Sequence, residues 1–197
     1  MEFTDEGVVI DKPPSDLDRL MLEVGGILDD VGIEYSVVSG YVAVLFGRAR
    51  ATEDIDVITE RFDDGTADDL AERLQEAGYW GSAMPLEDVH DTLAEELPVR
   101  VAEDGHRVPN VELKFASDEH DRISLDDVIH VRLGGETIRI GSLEFQIAYK
   151  LDMGARKDYE DALYLHEVAG PSLNRTALER YATKLGVEYE YEQLGGS

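Results

Sequence analysis

The chain has 197 residues, 43% of them hydrophobic and none of them cysteine. That length supports one full-sized core, and the lack of thiols excludes disulfides, cysteine-zinc sites and thiol catalysis. Acids number 44 against 18 lysines and arginines, a net charge of −26, which argues against a broad nucleic-acid-binding face at low salt yet permits a small anionic nucleotide bound through a metal.

The acids are spread over the whole chain. Only Lys12, Lys114, Lys150, Lys157 and Lys184 are lysines. This balance fits adaptation to high salt, where the Debye length falls to about 3 Å and self-repulsion is screened. A halophilic origin is the expectation. The same background makes any acidic cluster weak evidence by itself. The N-terminal "MEFTDEGVVIDKPPSD" has neither a basic start nor a long apolar run, and no later segment is apolar enough to span a membrane. A cytoplasmic protein is expected.

Residues 1–14 read as a tail or edge segment ending in Pro13-Pro14. Ser15, with Asp18 three residues on, resembles a capping box. Leu17, Leu20, Met21, Val24, Ile27 and Leu28 then follow at helical spacing up to Gly32. "EYSVVS" (34–39) reads as a buried strand broken by Gly40, and "YVAVLFG" (41–47) as a short helix. "DIDVIT" (54–59) alternates acid and apolar, as a strand with two different faces does. "TADDLAERLQEAG" (66–78) is an amphipathic helix closed by Gly78, and 85–97 a weaker one. Residues 99–116 read as two strands around Asp104-Gly105, and 130–140 as a hairpin turning at Gly134-Gly135. From Ser142 the pattern is helical, with a loose end at Ser197. The expected fold class is α/β (α+β): a mixed β-sheet with flanking helices over 1–140, then a C-terminal helical region over 141–197.

The stretch "SGYVAVLFGRARATEDIDV" (39–57) concentrates the chemistry. Strand parity puts Asp54 and Asp56 on one face and Ile55 and Val57 on the other. Two carboxylates one pleat apart can share a divalent cation with hard-ligand preferences. In "VELKFA", Glu112 and Lys114 alternate with Val111, Leu113 and Phe115, so Glu112 is the candidate third carboxylate on a neighbouring strand. Gly40 lets a phosphate approach the backbone, and the Ser39 hydroxyl adds a donor. Each feature also has a bland reading. The paired aspartates could be solvated acids, and Glu112 the cross-strand partner of a surface base. Arg48 and Arg50 could orient the carboxylates, bind phosphate or form salt bridges. Lys150 and Lys157 could clamp an anion or pair with acids such as Asp161. The five histidines show no metal-ligand spacing.

Arg50-x-Thr52-x-Asp54-Ile55-Asp56, preceded by Ser39-Gly40 and a short helix, resembles the signature of the DNA polymerase beta-like nucleotidyltransferase superfamily. The form is similar to that of uncharacterised bacterial and archaeal nucleotidyltransferase-like proteins and of the nucleotidyltransferase toxins of abortive-infection systems. "YKLDMGARKDYEDALYL" supplies a C-terminal helix of the expected kind, with Lys150, Arg156, Lys157, Asp158 and Asp161. The chain differs in having Ser39-Gly40 for Gly-Gly or Gly-Ser, and Glu112 for an aspartate. The resemblance implies a mixed-sheet nucleotidyltransferase fold and transfer of a nucleoside monophosphate from a nucleoside triphosphate to an unknown acceptor (small molecule, RNA or protein). It implies Mg2+ or Mn2+ on Asp54, Asp56 and Glu112, which would also be the catalytic residues. It implies a triphosphate held by Ser39, Gly40, Arg50, Lys150 and Lys157. The alternative is a catalytically degenerate partner protein of the same fold, as in a toxin–antitoxin pair.

The charge excess carries a direct expectation. The melting temperature should rise as potassium chloride is raised from dilute buffer to molar concentration, because screening removes self-repulsion. A midpoint that does not move with salt would show that the charge excess is not a salt adaptation.

Overall fold

The structure is a computed structural model that describes residues 1–4 and 6–195; Ser197, read above as a loose end, lies outside them. In chain order the strands are β1 (Glu2–Thr4), β2 (Gly7–Ile10), β3 (Tyr35–Val38), β4 (Asp54–Thr59), β5 (Tyr79–Gly81), β6 (Val99–Glu103), β7 (Asn110–Phe115), β8 (Val128–Leu133) and β9 (Glu136–Gly141). The helices are α1 (Asp16–Asp30), α2 (Gly40–Leu45), α3 (Asp64–Glu76), α4 (Val89–Ala94), α5 (Glu119–Asp126), α6 (Leu143–Met153), α7 (Arg156–Ala169), α8 (Arg175–Leu185) and α9 (Glu188–Leu194).

All described strands form one mixed sheet in the order β1-β2-β8-β9-β3-β4-β7-β6-β5. β2–β8, β9–β3 and β4–β7 pair in parallel, and the other neighbours pair antiparallel. The expected α/β mixed sheet is what the chain forms. The middle of the sheet is apolar where the alternation demands it: Val37, Ile55, Val57, Val111 and Leu113 are fully buried. Phe145, Leu151, Leu165 and Leu178 of the C-terminal helices join the same hydrophobic cluster. α1 starts at the expected capping box. The Ser15 side chain accepts from the Asp18 N–H, and the Asp18 carboxylate accepts from the Ser15 N–H at 2.8 Å.

Of the two readings of residues 1–14, tail or edge segment, the second holds: β1 and β2 pair antiparallel at the sheet edge. Several short elements were not expected. β5, α5 and α9 go beyond the periodicity reading. β5 has three residues and is defined by pairing to β6, and in α9 only Leu194 is buried. Such elements owe their form to tertiary contacts rather than to a repeat of their own. The turn expected at Asp104-Gly105 lies in a longer connection, 104–109, between antiparallel β6 and β7.

A buried ionic hub ties α7 to the segment entering β4. Asp161, with no exposed surface, accepts from Arg48 through one carboxylate oxygen. Its other oxygen takes Arg50 Nη1 at 2.5 Å and Lys150 Nζ at 2.9 Å. Arg48 also reaches Glu160 at 2.9 Å and the Lys157 carbonyl at 3.2 Å. Asp158, likewise buried, lies 3.9 Å from Lys150 Nζ. Burial pushes the Lys150 ammonium down to about 8; Asp158 opposes this, while the charges of Arg50, Lys157 and Arg48 add to it. An ion pair normally raises a lysine pKa, but here one carboxylate is divided among three cations and desolvation wins.

This geometry separates two substitutions. Asp161→Asn leaves three cations without their shared anion and should cost about 3–5 kcal/mol, lowering the melting temperature by roughly 10 °C. Lys150→Met leaves Asp161 its two arginines and should cost less than Asp161→Asn. The pH dependence follows from the sign of the shift. The folded state binds the Lys150 proton less tightly than the unfolded state does. This group therefore contributes a gain in stability as pH rises from about 8 towards 10.5, and Lys150→Met should abolish that component. Thermal melts of the three proteins in molar salt check this, and an Asp161→Asn protein that melts with wild type would show that the hub is not an anchor.

Candidate active site

β4 carries the two aspartates as strand parity requires. Ile55 and Val57 point into the core, Asp54 is exposed and Asp56 half-buried. β7 runs parallel beside it in a register that sets Asp54 opposite Asn110 and Asp56 opposite Glu112. On the other flank Asp56 is paired with Val38, next to Ser39. Beyond β7, Arg100 of β6 is the register partner of Glu112. Arg100 Nε donates to Glu112 Oε2 at 2.8 Å. Lys114 follows Glu112 by one pleat and is held by Asp121 of α5 at 2.9 Å. One face of β4, β7 and β6 therefore holds Asp54, Asp56, Glu112, Lys114 and Arg100.

The Asp56 carboxyl is pushed above its ordinary pKa. Burial is the largest cause, and the neighbouring charges of Asp54 and Glu112 add to it; a hydrogen bond from the Ser39 side chain and the charge of Lys114 act against it. A half-buried acid facing two like charges is short of positive charge. The three carboxylates share the face without all closing to within 4.8 Å of one another, and Glu112 leans towards Arg100. Among the described residues, the three-residue group that does close to that distance is Asp64, His90 and Asp91, in which both aspartates are exposed. Sequence spacing did not reveal it, because Asp64 is remote from the His90-Asp91 pair.

Ser39 links the acids to the short helix. Its backbone is strained for a residue with a side chain, at φ 68° and ψ −137°. Gln146 of α6, almost fully buried, holds this turn. Its Oε1 accepts from the Ser39 N–H at 3.2 Å, and its Nε2 donates to the Val37 carbonyl at 3.2 Å. Gly40 then starts α2. A Cβ there would lie 2.9 Å from Arg50 Nη2, so the glycine makes room for that guanidinium.

The candidate cations divide into two groups. Arg50 and Lys150 are engaged with Asp161, 2.5 and 2.9 Å away. Lys157 is exposed and is tied to the hub through its carbonyl, which accepts from Arg48. Three positions were not singled out from the sequence: Lys114, Gln146 and Arg100. Lys114 carried a usable signal, since it is one of few lysines and shares the parity of Glu112. Arg100 and Gln146 carried none, because their roles come from sheet register and helix packing.

No protein-family model matches the chain, and no curated protein matches it in sequence. Solved structures do match it in fold. An antigenic nucleotidyltransferase-like protein from Paracoccidioides brasiliensis superposes with a TM-score of 0.54 at 18% identity, over 89% of this chain and 90% of that one. The antibiotic-resistance factor ANT(2'')-Ia gives 0.51 at 14% identity, over 91% and 97%. JHP933 from Helicobacter pylori gives 0.51 at 15% identity, over 93% and 96%. The acid-bearing sheet and its C-terminal helices thus form a nucleotidyltransferase-like fold.

Proposed function

We propose that this protein is a metal-dependent nucleotidyltransferase that moves a nucleoside monophosphate from a nucleoside triphosphate to an acceptor hydroxyl or phosphate. The observation that carries this reading is the register of Asp56 against Glu112 on parallel strands, with Asp54 on the same face. ANT(2'')-Ia, similar in fold, has been seen in complex with adenylyl-2''-tobramycin; the adenylylated compound is what such a transfer yields.

The donor set fits a hard divalent cation. Asp54, Asp56 and Glu112 offer carboxylate oxygens on one face, and Asp56, pushed up first by burial and then by the charges of Asp54 and Glu112, would be relieved by a cation there. These three residues would hold Mg2+ or Mn2+, which when bound supplies Lewis-acid stabilisation of charge on the phosphates. Ser39 and Gly40 border the triphosphate, with the Ser39 hydroxyl and backbone as polar contacts. Arg50 and Lys150 act from behind: through Asp161 they fix α7 against the approach to β4. Of Arg50, Lys150 and Lys157, it is Lys157, exposed on the first turn of α7, that would meet phosphate.

In the transfer, Glu112 takes the proton of the acceptor hydroxyl. The acceptor oxygen forms a bond to the α-phosphorus, and the bond from that phosphorus to the bridging oxygen breaks. Pyrophosphate leaves with the electron pair. The chain contributes alignment and charge placement rather than a covalent intermediate.

Asp56→Asn tests the reading. The amide keeps nearly the same size while one anionic ligand is lost. Triphosphate affinity in the presence of magnesium should fall by about a hundredfold or more. The metal-free melting temperature should hold or rise, because an unfavourable buried charge has gone. Calorimetric titration of wild type and variant in one high-salt buffer measures both. Equal affinities would make Asp54 and Asp56 ordinary surface acids, and no binding by a folded wild type would favour the non-catalytic partner.

A further inference from the structure

A second feature lies beside the acids. A cavity of about 470 Å³ opens next to Asp54, lined by Glu53, Asp54, Ser82, Arg100, Arg107 and Asn110 among others. Its size is that of a small-ligand site. Two arginines line it in a chain that has 18 bases against 44 acids. Asn110 is 6% exposed, and its Oδ1 has no hydrogen-bond partner.

The walls are built rather than loose. Asn110 donates from its backbone to the Glu53 carbonyl at 2.9 Å, and from Nδ2 to the Arg107 carbonyl at 3.4 Å. Trp80 Nε1 donates to the His106 carbonyl at 2.7 Å. The 104–109 connection is thereby pinned at the carbonyls of His106 and Arg107. Arg100 bridges the cavity and the acid face through its 2.8 Å bond to Glu112.

We infer that this cavity seats the acceptor of the transfer, and that the acceptor is a small hydroxyl compound bearing a phosphate. The inference rests on the nucleotidyltransferase reading. Arg107 and Arg100 take the phosphate as charge-assisted donors. The hydroxyl that reacts is turned towards Asp54 and Glu112. Phosphate on Arg100 competes with Glu112 for the same guanidinium, so acceptor binding releases Glu112 to take the proton. Two arginines and a net charge of −26 suit a compact anion and oppose a long polyanion.

The single tryptophan, Trp80, gives a readout independent of turnover. Its fluorescence is followed during titration with inorganic phosphate, ribose 5-phosphate and ribose, at the lowest potassium chloride concentration that keeps the fold. Ribose 5-phosphate should bind at least about tenfold more tightly than ribose, and Arg107→Ala should remove that advantage. Arg107 is exposed and lies outside the acid face, so the variant's triphosphate affinity with magnesium should match wild type. The inference is overturned if neither phosphate compound outbinds ribose, or if Arg107→Ala binds them as wild type does. A short single-stranded oligonucleotide that binds more tightly than ribose 5-phosphate, and displaces it, overturns the small-acceptor class. Arg107-dependent phosphate binding in a protein that binds no triphosphate would fail the nucleotidyltransferase reading, and with it the acceptor role, while leaving the anion site standing.

Discussion

The carboxylate of Asp161 is the constraint on which the site's geometry rests. It is fully buried, and it holds Arg48, Arg50 and Lys150 at once. Arg48 and Arg50 lie in the irregular segment between α2 and β4, a stretch with little secondary structure of its own. Packing alone would leave that segment free to shift. Anchored at two arginines, it must deliver the chain into β4 at one place, and so present Asp54 and Asp56 at one height on the sheet. Arg50 lies over Gly40 at a distance that a side chain at 40 would not permit. The start of α2, the entry to β4 and the face of α7 are therefore one mechanical unit.

The hub and the acid face are opposite solutions to burying charge. At the hub, three cations meet Asp161, Asp158 and Glu160, and the charges nearly balance within the protein. At the acid face they do not. Lys114 is itself engaged by Asp121, and Arg100 serves Glu112 from a half-exposed position. Asp56 is left with a hydroxyl from Ser39 against two neighbouring acids. A purely structural site would be expected to pair such a group, because an uncompensated buried charge is costly. Ser39 adds backbone strain at the same place. Strain at Ser39 and unmatched charge at Asp56 meet where β3 and β4 adjoin, the place the proposed metal and triphosphate would occupy.

Much of this was legible in the sequence, and what was not has a physical reason. Alternation in "DIDVIT" and "VELKFA" is local, so it put Asp54 and Asp56 on one face and Glu112 on the polar side of its strand. Gly40 was legible as a break, though the reason it must be glycine is Arg50, which no local pattern shows. The partners of Arg48, Arg50 and Lys150 lie far along the chain, and charge pairing at long range has no periodicity to read. In a chain with 44 acids, every base has many candidate partners. Gln146 illustrates the limit most clearly: nothing distinguishes a helical glutamine that binds water from one that pins a strained turn until α6 is packed on the sheet. The short elements at 79–81 and 119–126 were missed, and α9 was not separated within the expected helical region, because these residues gain their form from neighbours.

The abundance of acids also bears on how a site is recognised in such a protein. Surface carboxylates here are the solvated background, screened when salt is high. Exposure is then the useful discriminator. Asp64 and Asp91 come close to His90, yet both are exposed, and water and salt satisfy them at little cost. Asp56 is different because the sheet has taken part of its hydration away and set Glu112 on the adjoining strand. Arg100 reinforces the contrast. It is shared between a third acid and a cavity, so the charge balance of the acid face depends on what the cavity contains. A ligand that drew Arg100 away would break its 2.8 Å bond to Glu112 and leave the three acids of that face with less positive charge beside them. Through Arg100, the proposed acceptor cavity and the proposed metal site would thus be coupled electrostatically.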